Sequence, residues 1–310
     1  MGPGFGGIPD VVIDYVRDVF AGANEKVSRA LTDHPSMHEP MLDGILIAEL
    51  SASPPAFFAA EQIALNIETH WLGGRWMYRR WEIADIALIV MLRRRGHLEQ
   101  RKVALLQTKR LYSKELPAEA DEPEDYVIGI GRLADRTDPQ RPFYQQRAFG
   151  FDQGSTYDAT RAGHEQVNRI EAYFGERDIP VYYGLYNPLV LPFKGLYPAA
   201  PDTNSHLANE FGCRVLRSSD VHGPLARLSD GQAPSVANLT LAMPLDASDP
   251  GSTRGWRLER FVADEVLRCQ EGKLFDDQAD PNLRALFYAR TAPITAAIVM
   301  TVDMDGDRRD

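Results

Sequence analysis

Cysteine is almost missing from this chain: Cys213 and Cys269 are the only two in 310 residues. They lie far apart and without metal-binding spacing, which excludes a disulfide-built scaffold and points to a reducing compartment. Long apolar runs are missing too. The longest, near 83–92 and 294–302, are too short to span a bilayer, so no membrane association is expected. Residues 1–10 are rich in glycine and proline and carry no basic start, unlike a signal peptide, and the expected location is cytoplasmic. Positive charge is in deficit: 34 Lys+Arg face 44 Asp+Glu, a formal net charge of −10. The global field therefore opposes a polyanion, and any grip on nucleic acid must come from local basic clusters. The chain also lacks an H-E-x-x-H metalloprotease motif, a G-x-S-x-G nucleophile elbow, a glycine loop in a strand–loop–helix frame, and any internal repeat. These absences remove the commoner enzymatic readings of a chain this size.

What remains is an ordinary globular composition, 44% hydrophobic and 25% charged, with ample length to bury a core. Residues 9–31 carry apolar side chains at helical spacing. A second helix is expected over 36–50, capped by Ser36 with Glu39 three residues on, and with Leu42, Ile45, Leu46 and Leu50 as its stripe. Alternation over 63–71 reads as a strand, Gly73-Gly74 as a hairpin turn, and 76–90 as the returning strand. A polar connection, 93–101, leads to a third strand over 102–109. These three are expected as consecutive antiparallel neighbours, with a strand around Tyr182 beside them. Residues 115–160 read as an irregular insertion, 157–174 as a helix, 213–217 and 237–243 as strands, 258–269 as a helix and 294–302 as a late strand.

The chemistry concentrates on two of these runs. Asp85 opens one, while Gln107 and Lys109 close the other and share a strand face by the period of two. Antiparallel pairing brings an acid, an amide oxygen and an ammonium onto one patch. Such a patch suits a divalent metal: Asp85 as the carboxylate ligand, Gln107 through its side-chain oxygen, Thr108 through its carbonyl, and Lys109 to orient a water or stabilise transition-state charge. Basic residues crowd the same region: Arg75, Arg79 and Arg80, then Arg93, Arg94, Arg95 and Arg101, then Arg110 and Lys114. Glu68 and Glu82 compete as further acids, and Glu39 has a rival use in the Ser36 capping box.

The order helix, strand, strand, strand, helix, strand, with Asp85 followed 22 residues later by Gln107-Thr108-Lys109, resembles the PD-(D/E)XK, or restriction-endonuclease-like, nuclease superfamily. The resemblance covers about 30–190 and is closest to nuclease components of bacterial anti-phage defence systems. It implies an α/β fold with a mixed sheet flanked by helices as the core over 1–190, and a loop-rich extension over 191–310 that is packed on it or continuous with it as one domain. It also implies Mg²⁺ or Mn²⁺ as cofactor, DNA as substrate, and a partner protein or homo-oligomer for activation. Glu39 on the preceding helix joins the metal site by the same resemblance, and Gln166 on the following helix joins Arg93, Arg94 and Arg110 in contacting nucleic acid. Gln107 stands where a glutamate is commoner, and a neutral amide is a weaker ligand for a hard cation. That departure keeps a second reading open: a nuclease-like DNA-binding or scaffold subunit that no longer cleaves.

Overall fold

The computed structural model describes residues 7–72, 83–114, 147–197, 211–240, 255–275, 279–288 and 294–305. The chain begins with two helices, α1 (Asp10–Asp33) and α2 (Glu39–Ser51). The buried face of α1 includes Val12, Ile13, Val16, Phe20, Val27 and Leu31, and α1 packs along α2. Four strands follow: β1 (Ala56–Phe58), β2 (Ile63–Trp71), β3 (Ala84–Arg94) and β4 (His97–Arg110). A short strand β5 (Arg147–Phe151), a helix α3 (Glu165–Arg177) and strands β6 (Val181–Tyr186), β7 (Phe193–Tyr197) and β8 (Arg214–Arg217) come next. The remainder is α4 (Ser218–Leu225), α5 (Val236–Thr240), β9 (Trp256–Arg257), α6 (Leu258–Arg260, continuing as the π-helix Phe261–Leu267), β10 (Lys273–Phe275), α7 (Pro281–Tyr288) and β11 (Ile294–Asp303).

These elements make a mixed α/β fold around one nine-stranded sheet, ordered β1-β2-β11-β3-β4-β6-β8-β9, with β10 also on β4; β5 and β7 form a separate pair. Composition explains the order. β3, β11 and the 103–106 stretch of β4 are apolar on both faces and largely buried, as central strands must be, whereas β2 alternates buried and exposed positions. β3 and β4 pair antiparallel through a two-residue turn at Arg95 and Gly96, both with positive φ (50° and 74°), the conformation that matches strand twist. β6 then adds to β4 in parallel, with Leu106 opposite Tyr182 and Arg110 opposite Tyr186.

Several expectations need correction. β2 and β3 are not neighbours: β11 lies between them, antiparallel to β2 and parallel to β3. The late run 294–303 is more continuously apolar than β2 and so takes the central place. The sheet consequently draws strands from both sides of residue 190. Of the strand expected over 76–90, residues 84–90 lie in β3, while residues 76–82, with the Gly73-Gly74 turn, Arg75, Arg79, Arg80 and Glu82, lie outside the described residues. The helix expected from 157 starts at Glu165, because His164 caps it by accepting from the Gln166 N–H. In place of a strand from 237, α5 forms, since Ser235 and Asn238 cap one another: the Asn238 N–H donates to Ser235 Oγ at 3.1 Å and the Ser235 N–H to Asn238 Oδ1 at 2.9 Å. Ser36 does not cap α2 either. Its N-cap is His38, without a side-chain cap bond, and Pro40 sits in the first turn, where its missing N–H costs nothing.

Candidate active site

Asp85 lies at the start of β3, one residue before the Ile86–Leu106 pair, and so faces Gln107 on β4. Among the described residues, its carboxylate accepts three hydrogen bonds, all on Oδ2. The Thr108 N–H donates at 2.6 Å, the Thr108 hydroxyl at 3.0 Å, and the Gln107 amide N–H₂ in a still shorter contact. Gln107 is buried, and with its nitrogen committed to Asp85, its Oε1 has no partner among the described residues. A buried amide oxygen left unpaired is costly and uncommon in a folded protein.

Glu39, released from a capping role, opens α2 over the end of β4. Its Oε1 accepts the Arg110 N–H at 3.1 Å and its Oε2 lies 3.5 Å from Lys109 Nζ. Burial raises the Glu39 pKa; the Lys109 charge works against that shift and the Asp85 charge adds to it. For Lys109, burial pulls the pKa down, but Glu39 and Asp85 outweigh it and the ammonium is held above its ordinary range. Beside these two acids Lys109 favours its charged form.

One site residue escaped sequence reasoning. Asp43, one helical turn beyond Glu39, is buried; its Oδ1 accepts the Tyr186 O–H at 2.6 Å and its Oδ2 lies 3.2 Å from the Thr108 hydroxyl oxygen. Burial first, and then the Asp85 charge, push its carboxyl well above the ordinary 3.8. Thr108 has a single hydroxyl proton, which cannot serve both carboxylates. A proton retained on Asp43, the direction in which burial pushes it, would donate to Thr108 and leave the Thr108 proton for Asp85. The signal was present in the sequence: Asp43 occupies the α2 stripe otherwise filled by Leu42, Leu46, Ile47 and Leu50.

The remaining expected residues fall elsewhere. Arg110 is buried beside the site. Its Nη1 donates to the Pro35 carbonyl at 2.5 Å and its guanidinium lies 3.8 Å from the Tyr112 ring centre, so it ties the α1–α2 connection to β4. Arg93 and Arg94 stand at the far end of β3, about 26–30 Å from Asp85 at roughly 3.3 Å per residue. Arg93 bonds the Gly96 carbonyl and Arg94 pairs with Glu99. Gln166 lies in the first turn of α3, where its backbone N–H joins the His164 cap. Glu68 is on β2, cut off from β3 by β11.

Asp85, Gln107, Thr108, Lys109 and Glu39 are thus gathered at one end of β3 and β4. Among the described residues, no three His, Cys, Asp or Glu side chains group so as to hold a metal ion on their own. The donor set that fits one is mixed, two carboxylates and the unpartnered Gln107 oxygen, which suits a hard, oxygen-seeking cation such as Mg²⁺ or Mn²⁺. Among the described residues, no helix is long and apolar enough to cross a membrane. No family model, curated protein or solved structure matches the chain.

Proposed function

We propose that this chain is a divalent-metal-dependent nuclease of the restriction-endonuclease-like type, hydrolysing DNA phosphodiester bonds. The single observation that carries the reading is the Gln107 amide: its nitrogen is spent on Asp85, and its buried oxygen is left unpaired beside that carboxylate. A cation coordinated there would satisfy that oxygen. Asp85, Gln107 and Glu39 would hold the metal, which supplies Lewis-acid activation of a phosphoryl oxygen and of a water. The protein's own contribution is electrostatic and positional. Lys109, held cationic by Glu39 and Asp85, stabilises negative charge as it builds on the phosphoryl oxygens. Thr108 fixes Asp85 through both its N–H and its hydroxyl, so the carboxylate need not reorganise during the reaction. The resemblance to anti-phage nucleases makes an effector role in bacterial defence the natural biological setting.

The second reading, a DNA-binding or scaffold module without cleavage, is favoured by the neutral Gln107 where a carboxylate would bind metal more tightly. Incubating the purified chain with plasmid DNA, with and without Mg²⁺ or Mn²⁺, separates the two. We expect metal-dependent nicking that is lost in Asp85→Ala and in Lys109→Ala. Absence of cleavage across both metals and a range of concentrations would favour the scaffold.

A further inference from the structure

Behind Asp85 runs a line of hydrogen bonds through four secondary-structure elements. Tyr186 on β6 donates to Asp43 on α2 at 2.6 Å; Asp43 meets the Thr108 hydroxyl on β4 at 3.2 Å; and Thr108 reaches Asp85 on β3 at 3.0 Å. We propose that Asp43 and Tyr186 are positioning residues for the metal site, acting through Thr108 to fix the Asp85 carboxylate. This rests on the reading of Asp85, Gln107 and Lys109 as a metal-dependent nuclease centre, and adds two residues that do not themselves touch metal or substrate.

The geometry suits a positioning role for Asp43, because both of its oxygens are engaged by hydroxyl groups of the protein. It equally argues against a packing role. Asp43 is 6% exposed on an apolar helix stripe, where a leucine would bury more apolar surface without a desolvation penalty. Tyr186 is 2% exposed and its hydroxyl reaches Asp43. A phenylalanine would fill the same space, so the oxygen is there for Asp43. What the pair does together is hold the Thr108 side chain in one rotamer. Thr108 has a further choice of staggered positions at a strand end, and only one directs its hydroxyl to Asp85. Partners behind metal ligands typically alter metal affinity or activity by about ten- to a hundredfold when removed.

The test is calorimetric titration of Mn²⁺ into the full chain, as wild type, Asp85→Ala, Asp43→Ala and Tyr186→Phe, with thermal unfolding run on each. Tyr186→Phe deletes one oxygen and keeps the ring, so it remains informative where Asp43→Ala proves too unstable. We expect both positioning variants to weaken Mn²⁺ binding by about tenfold or more. In cleavage assays they should raise the half-saturating Mg²⁺ concentration more than they lower the rate at saturating metal. Wild-type Mn²⁺ affinity in folded Tyr186→Phe and Asp43→Ala, alongside its loss in Asp85→Ala, would overturn the positioning role and leave the metal site standing. A wild-type chain that binds no Mn²⁺ would overturn the metal site, and the positioning role with it.

Discussion

Gln107→Glu is the substitution in which the geometry makes opposite demands with and without metal. The Gln107 amide donates to Asp85 Oδ2 from a buried position. A glutamate at neutral pH loses that donor and sets a second carboxylate against the first. Losing a hydrogen bond to a charged group costs about 1.5–3 kcal/mol, and the added buried like charge brings the total to on the order of 3–5 kcal/mol. At roughly 2–4 °C per kcal/mol, the metal-free melting temperature should fall by about 10 °C. Protonating the new glutamate restores a donor, so the loss should shrink as the pH is lowered toward 5. Divalent metal reverses the balance, because two carboxylates then share a cation. Binding at a hundredfold excess over Kd stabilises by about 2.7 kcal/mol, and the variant, binding more tightly, should recover more than the wild type at each Mg²⁺ concentration. The assay is thermal unfolding across a Mg²⁺ titration at two pH values, paired with cleavage rates. An unchanged metal-free melting temperature, together with superimposable Mg²⁺ curves, would refute the argument and remove Gln107 from the site.

Two further outcomes follow from the same geometry. The Asp43 carboxyl titrates well above 3.8 in the folded protein, so between the two values the folded state holds a proton that the unfolded state has released. Stability therefore falls as pH rises from about 4 through the folded Asp43 value. Asp43→Asn should flatten that part of the curve and stabilise the chain at neutral pH, and a parallel pH profile for the two proteins in chemical denaturation would contradict it. Neutralising Arg93, Arg94 and Arg95 together should weaken DNA binding and flatten its salt dependence without altering Mn²⁺ affinity. The separation along β3 is the reason, and a change in metal affinity would show that the two ends of the strand are not independent.

How much of this was legible in the sequence depended on how local the cause was. The pairing of β3 with β4, and with it the meeting of Asp85 with Gln107, followed from two apolar runs joined by the polar connection 93–101, although the structure draws most of that connection into the two strands and leaves only Arg95 and Gly96 as the turn. β6 was readable from 181–186 as a buried run beside them. The insertion of β11 between β2 and β3 was not readable, because no local signal states that a strand formed far later in the chain will separate these neighbours. The turn signal at Gly73-Gly74 argued for the simpler hairpin. Glu39 was only partly readable: its spacing from Ser36 fitted a capping box, and the structure spends it instead on Arg110 and Lys109. Asp43 was passed over because the α2 stripe was drawn from apolar residues alone. A carboxylate on a stripe of leucines is a stronger sign of function than one on a solvated face, since burying it must be offset by partners.

The place of β11 also changes what supports the candidate site. Ile294 and Ala296 on β11 lie opposite Ala84 and Ile86, the two residues that flank Asp85, while Leu106 and Leu105 on β4 lie opposite Ile86 and Ala87. The segment bearing Asp85 is thus held from one side by the strand that carries Gln107 and Lys109, and from the other by a strand of the C-terminal third. A carboxylate at the first turn of an edge strand would fray with its strand. Between two paired neighbours it keeps its orientation, and the three donors on Oδ2 then need to hold only a side chain rather than a backbone. The residues that would do chemistry come from Glu39 to Lys109, but the rigidity that makes their geometry useful is supplied partly by residues 294–303. Residue 190 is therefore a boundary in the resemblance and not in the mechanics of the sheet.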